Sequence, residues 1–131
     1  METLALVHSL VRWLVLLAGL AAAVKYAAGM IRQSAFGRAD RVLGLVYTGV
    51  LDLQALIGLA LLVGLAGQAD GLPPTGRLLH ALTMFFAVAA AHQTARWRGA
   101  PDSRRFRNGL IAYCLSLALI GAGLAVIVQS P

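Results

Sequence analysis

The sequence predicts an all-α protein, a four-helix transmembrane bundle with both termini on the extracytoplasmic side. Three observations carry this expectation. The 131 residues are 60% hydrophobic and 12% charged, with mean hydropathy +0.79, whereas a soluble domain holds about 45–50% apolar and about 25% charged residues. The apolar runs are continuous and rich in Leu and Ala. Lipid offers backbone groups no water, so only helices and closed barrels cross it, and a barrel strand would alternate. Finally, four stretches reach the roughly 20 apolar residues of a spanning helix, at about 4–29, 43–66, 78–96 and 109–128. With no internal repeat and no polar domain, 1–131 reads as a single integral membrane domain.

The first stretch contains LLAGLAAAVKYAAG, whose small residues resemble a cleavage site, but no basic segment precedes it. It reads as a retained helix. The connections carry the charge. Lys25, Arg32, Arg38 and Arg41 cluster around the first, with Asp40 opposing; Arg96, Arg98, Arg104, Arg105 and Arg107 cluster around the third, with Asp102 opposing. The remaining basic residues are Arg12 and Arg77. The positive-inside rule puts both basic connections in the cytoplasm, and the GQADGLPPTG connection, with Asp70, outside beside both chain ends. Tyr26, Tyr47, Trp97 and Tyr113 fall near the basic ends, as an interfacial aromatic belt would. The net charge of +6 is explained by orientation and attraction to anionic lipid. No nucleic-acid motif accompanies it, so no nucleic-acid partner is expected. Gly121 and Gly123 on helix 4, with Ala90 and Ala91 on helix 3, suit close helix contact.

Ionisable groups inside a membrane are costly and mark function. Here they are His8, Arg12, Asp52, His80 and His92, with the amide of Gln54. Helices rise about 1.5 Å per residue, so His8 and His80 lie at similar depth near the outer ends of helices 1 and 3. Two imidazoles at one level in a four-helix bundle suit axial ligation of one b-type haem. Arg12 and Arg77, one turn or less away on the same helices, suit its propionates. Other readings stay open: interfacial histidines bonded to water or backbone, or copper held by His80 and Met84 with Met30 or Cys114.

Asp52, at mid-helix, has Arg12 or a histidine as candidate partner, or hydrogen bonding near Gln54. His92 lies twelve residues beyond His80, about 18 Å along the axis and about 120° around it. It therefore does not share the first site; an interfacial histidine is the favoured reading, with a bond to Tyr47 or a place beside a quinone pocket near the cytoplasmic surface as the alternatives. The lone Cys114 excludes an internal disulfide and a C-x-x-C-H haem attachment. No nucleophile–base set, phosphate loop or zinc spacing appears. No catalytic residue is assigned, and an electron-transfer or accessory subunit is expected rather than a stand-alone enzyme.

Taken together, HSLVRWLVLL at 8–17, DLQALIGLALL at 52–62 and HALTMFFAVAAAH at 80–92 resemble the small four-helix bacterial membrane proteins labelled cytochrome-b-like. The likeness covers the first three helices. It implies a haem-associated protein of a bacterial inner membrane, with His8, Arg12, His80 and His92 as characteristic positions. Some members carry His where this chain has Asp52. The resulting expectation is an electron-transfer module with one haem b between His8 and His80. The alternative is a structural accessory subunit of a respiratory or photosynthetic complex, without its own cofactor. Besides the bilayer, the candidate partners are quinone, other membrane subunits and a second copy of the chain.

Overall fold

The computed structural model describes residues 1–68 and 72–129; Asp70, assigned above to the outer connection, lies outside them. The described residues form α1 (Glu2–Arg32), α2 (Arg38–Ala66), α3 (Thr75–His92) continued by a 3₁₀ segment (Gln93–Trp97), and α4 (Asp102–Gln129). All four helical stretches, with the third taken as Thr75–Trp97, are long and apolar enough to cross a membrane.

The helices overrun the apolar stretches because their first turns are polar, and that of α2 is capped by a side chain. Asp40, the third residue of α2, accepts the Gly37 amide at 2.9 Å and pairs with Lys25 of α1 at 3.1 Å. The carboxylate thus answers a free amide and the positive end of the helix dipole. α4 begins seven residues before its apolar run. The Pro101 carbonyl accepts the Arg104 and Arg105 amides, each at 3.0 Å, so Arg104, Arg105 and Arg107 lie on a helical turn and not in a loop. α1 stops at Gln33, in the left-handed conformation with φ 52 and ψ 41. The Ser34 amide reaches Gly29 O and the Gln33 amide reaches Met30 O, the paired bonds of a Schellman stop.

Only helices adjacent around the ring touch among the described residues: α1 with α2, α2 with α3, α3 with α4, and α4 with α1. α1 and α3 are therefore diagonal, and the α2–α3 seam is the least tightly packed. Met1 lies beside Gly64, and His80 beside Gly123. The start of α1, the end of α2, the start of α3 and the end of α4 thus share one end of the bundle. The basic connections share the other.

Each helix turns one stripe inward at helical spacing: Val15, Gly19, Ala22, Tyr26 and Gly29 on α1; Asp40, Gly44, Tyr47, Leu51 and Gln54 on α2; Ala87, Ala90 and Ala91 on α3; Phe106, Gly109, Tyr113, Ser116, Ile120 and Gly123 on α4. Tyr26, Tyr47 and Tyr113 are therefore core residues, 3%, 0% and 1% exposed. This corrects the aromatic-belt expectation. They sit at the basic end as expected, but point inward and stack edge-on and tilted on one another and on Phe106.

Glycines make room for these rings. A Cβ on Gly19 would lie 2.7 Å from the Tyr47 ring, and one on Gly109 would lie 2.6 Å from Tyr26. Gly123 likewise opens α4 to α3, as expected, whereas Gly121 is exposed and touches nothing. Within a membrane, where apolar burial gives helices no reason to associate, close packing and interhelical hydrogen bonds of this kind are what would hold such a bundle.

Gly19→Ala is expected to destabilise the bundle by about 1–3 kcal/mol, the usual cost of forcing a methyl group into a filled core. Reversible denaturation in detergent micelles measures it. Gln33→Gly is expected to act in the opposite sense, stabilising by about 1 kcal/mol, since glycine adopts the left-handed conformation without a Cβ clash.

Candidate functional site

Extending the inward stripes toward the end opposite the basic connections identifies the residues that meet there. The α1 stripe runs back from Val15 through Val11 to His8. The α2 stripe runs on from Gln54 to Gly58, and the α3 stripe runs back from Ala87 through Met84 to His80. His8 and His80 thus sit on the inner faces of diagonal helices. Both are half-buried.

His80 is held from α4. Its Nδ1 lies 2.8 Å from Gly123 O. A carbonyl only accepts, so Nδ1 carries the hydrogen, and the neutral ring keeps a lone pair on Nε2. A histidine that donates one ring N–H to a backbone carbonyl has its tautomer and orientation set for ligation through the other nitrogen.

His8 is held from α2. Gln54 Nε2 donates to the His8 carbonyl at 2.9 Å and stands 3.4 Å from His8 Nε2. Gly58 gives the imidazole room, since a Cβ there would be 3.0 Å from His8 Cε1. His8 Nδ1 and Gln54 Oε1 are both buried without a hydrogen-bond partner. Such atoms are uncommon in folded proteins and costly away from water. Two occur here together, at the end of the bundle that also holds His80.

The arginines expected beside this pair have no counter-ion among the described residues. Arg12 stacks on Trp13, its guanidinium carbon 5.3 Å from the ring centroid. Arg77 is exposed in the first turn of α3. Neither side chain bonds an acid among the described residues. In particular Arg12 does not meet Asp52, and Gln54 turns to His8.

Asp52 pairs with His92, whose Nε2 lies 2.9 and 3.1 Å from the two carboxylate oxygens. The helical phase explains this. Asp52 and His92 each follow an inward residue, Leu51 and Ala91, by one position. Both therefore project about 100° off the stripe, into the α2–α3 seam, where their side chains are 43% and 49% exposed. His92 consequently does not bond Tyr47. The Tyr47 hydroxyl lies 2.8 Å from Ser116 Oγ, and Ser116 donates to Ala87 O at 2.8 Å, a buried relay across α2, α4 and α3.

The copper arrangement does not assemble. Met30 lies at the basic end of α1, and Cys114 is exposed on α4, about six turns' distance and more than two turns respectively from the level of His80. Among the described residues, no group of three or more His, Cys, Asp or Glu is placed to hold a metal ion.

Sequence reading missed the contribution of α4. Ser116 carried a signal, being a hydroxyl on an otherwise apolar inner stripe. The Gly123 carbonyl carried none beyond the small residue that lets His80 approach. No family model, curated protein or solved structure matches this chain.

The Asp52–His92 pair gives a double-mutant cycle. His92→Ala alone strands a carboxylate in a spanning helix and is expected to destabilise more than Asp52→Ala alone. The double variant should recover part of the loss, with a coupling of about 0.5–1.5 kcal/mol in micelles. Additive losses would mean the pair carries no net interaction.

Proposed function

We propose that this chain is a multi-pass protein of a bacterial inner membrane that holds one b-type haem between His8 and His80 and serves electron transfer. It joins the small cytochrome-b-like membrane proteins that its first three helices resemble. The observation that carries the reading is the unspent bonding at one place: His80 with Nδ1 fixed to Gly123 O and Nε2 free, and His8 Nδ1 buried without a partner across the bundle. His8 and His80, from diagonal helices, are the residues that would hold the haem iron.

Bound there, haem supplies reversible one-electron chemistry. The chain supplies the rest. Gly123 and Gln54 orient the two imidazoles. Arg12 and Arg77, paired with no acid among the described residues, provide positive charge for carboxylates near that end. The apolar helices exclude water, and together with the charges they set the potential. By the positive-inside rule the site lies toward the outer surface, with both termini outside. Quinone and other membrane subunits are the partners this role calls for.

A second reading has its own observation. The Asp52–His92 pair is exposed on the seam of a spanning helix, where lipid would be a poor neighbour for it. A companion subunit or second copy over that face favours an accessory role within a larger complex.

The test is a reduced-minus-oxidised optical spectrum of the purified protein. A b-type α band and Soret shift are expected, lost or converted from the low-spin form by His8→Ala and by His80→Ala, and retained by His92→Ala. A protein with no extractable haem, expressed in haem-replete cells, overturns the reading and leaves the accessory role.

A further inference from the structure

At the opposite, basic end of the bundle a cleft of about 140 Å³ opens between α2, the 3₁₀ segment and α4. We propose that this cleft binds a phosphate group, contributed by the head group of an anionic phospholipid. Three guanidinium side chains, Arg41 from α2, Arg98 from the turn after the 3₁₀ segment, and Arg105 from α4, line it together with Thr48 and Tyr113.

The three charges are not neutralised within the fold. Among the described residues no carboxylate lines the cleft. The nearby acids are committed elsewhere, Asp40 to Lys25 and Asp52 to His92 at the cleft's rim. The side chains of Arg41 and Arg98 make no hydrogen bond or ion pair to a described residue. Arg105 lies flat on Phe36, its guanidinium carbon 3.7 Å from the ring centroid. Stacking fixes the plane of the guanidinium and leaves its N–H edge free, the form in which arginine takes the oxygens of a phosphate.

Orientation in the bilayer accounts for positive charge in connections, but it does not require arginines from three separate elements to line one cavity. Like charges brought into one small space repel, and an anion relieves them. The volume holds several waters, enough for a phosphate and the start of its ester linkage.

The walls favour a lipid over a free ion. Leu45, 57% exposed, lines the cleft beside the half-buried Trp97. Above it runs the loosely packed α2–α3 seam; Leu59 and Phe85, two turns from Asp52 and His92 and in the same helical phase, are exposed at 57% and 66%. A phosphate seated among the arginines would leave its acyl chains along this apolar wall. Basic clefts between membrane helices are general sites for such head groups.

The experiment is lipid retention by the full chain, read by native mass spectrometry from micelles offered phosphatidylglycerol, phosphatidylcholine or inorganic phosphate. Phosphatidylglycerol is expected to be retained in preference to phosphatidylcholine, and millimolar inorganic phosphate should not displace it. Arg41→Gln and Arg98→Gln should each lower retention about fivefold, the effect of removing one basic contact near the surface. Arg38→Gln and Arg107→Gln, outside the cleft, should leave it unchanged. Arg98→Lys keeps the charge but loses the planar fork and should fall between, which covers the case in which a Gln variant does not fold. Equal retention of the two lipids, or equal losses from all four Gln variants, overturns the proposal. Displacement by inorganic phosphate would overturn the lipid as the source of the group.

Discussion

The four helices are long and apolar enough to cross a membrane, and in such a setting a polar group inside the bundle must find its partner on another helix, because lipid supplies none and each group left bare costs free energy. Most of the interior obeys that constraint through interhelical bonds. Tyr47, Ser116 and the Ala87 carbonyl form one chain across three helices. The Tyr26 hydroxyl donates to the Asp40 carbonyl, while the Asp40 carboxylate serves both the Gly37 amide and Lys25. These bonds fix the relative rotation and depth of the helices. Glycine sockets then let the tyrosine rings that carry them reach the axis. Packing and hydrogen bonding are one system here: the same Tyr47 ring that touches Gly19 bears the hydroxyl that meets Ser116.

The departures from the constraint are grouped. At one end His8 Nδ1 and Gln54 Oε1 are buried and unpaired, and His80 keeps one nitrogen free. At the other, three arginines face a cleft without a counter-ion. Between them Asp52 and His92 satisfy each other on the seam. The two ends therefore differ in kind. One has nitrogen lone pairs and amide groups turned toward the axis, suited to a ligated cofactor. The other has fixed positive charge opening toward an apolar wall, suited to an anionic head group.

The four helices were legible because hydropathy and continuous apolar runs report directly on lipid as solvent. Their ends were less so, since a hydropathy window stops where charge begins, while α2 and α4 start in charged turns at Arg38 and Asp102. That His8 and His80 lie at the same end of the bundle was legible from depth alone, because helical rise is regular. The partner of Asp52 was not, because depth and side-chain lean do not give rotation about the axis; the one-residue offset from Leu51 and Ala91 does, once the inward stripes are known. The tyrosines misled for a related reason. Position at a helix end fits an interfacial belt or a core equally well, and only the glycines opposite them decide for the core.

The account stands on two imidazoles from diagonal helices acting on one group. Low-temperature electron paramagnetic resonance of the oxidised, purified protein tests that most directly. The expected result is a low-spin ferric signal of bis-imidazole character, converted to high spin or lost when His80 is replaced by alanine. A high-spin signal in the unaltered protein, or a low-spin signal indifferent to His8 and His80, would contradict it.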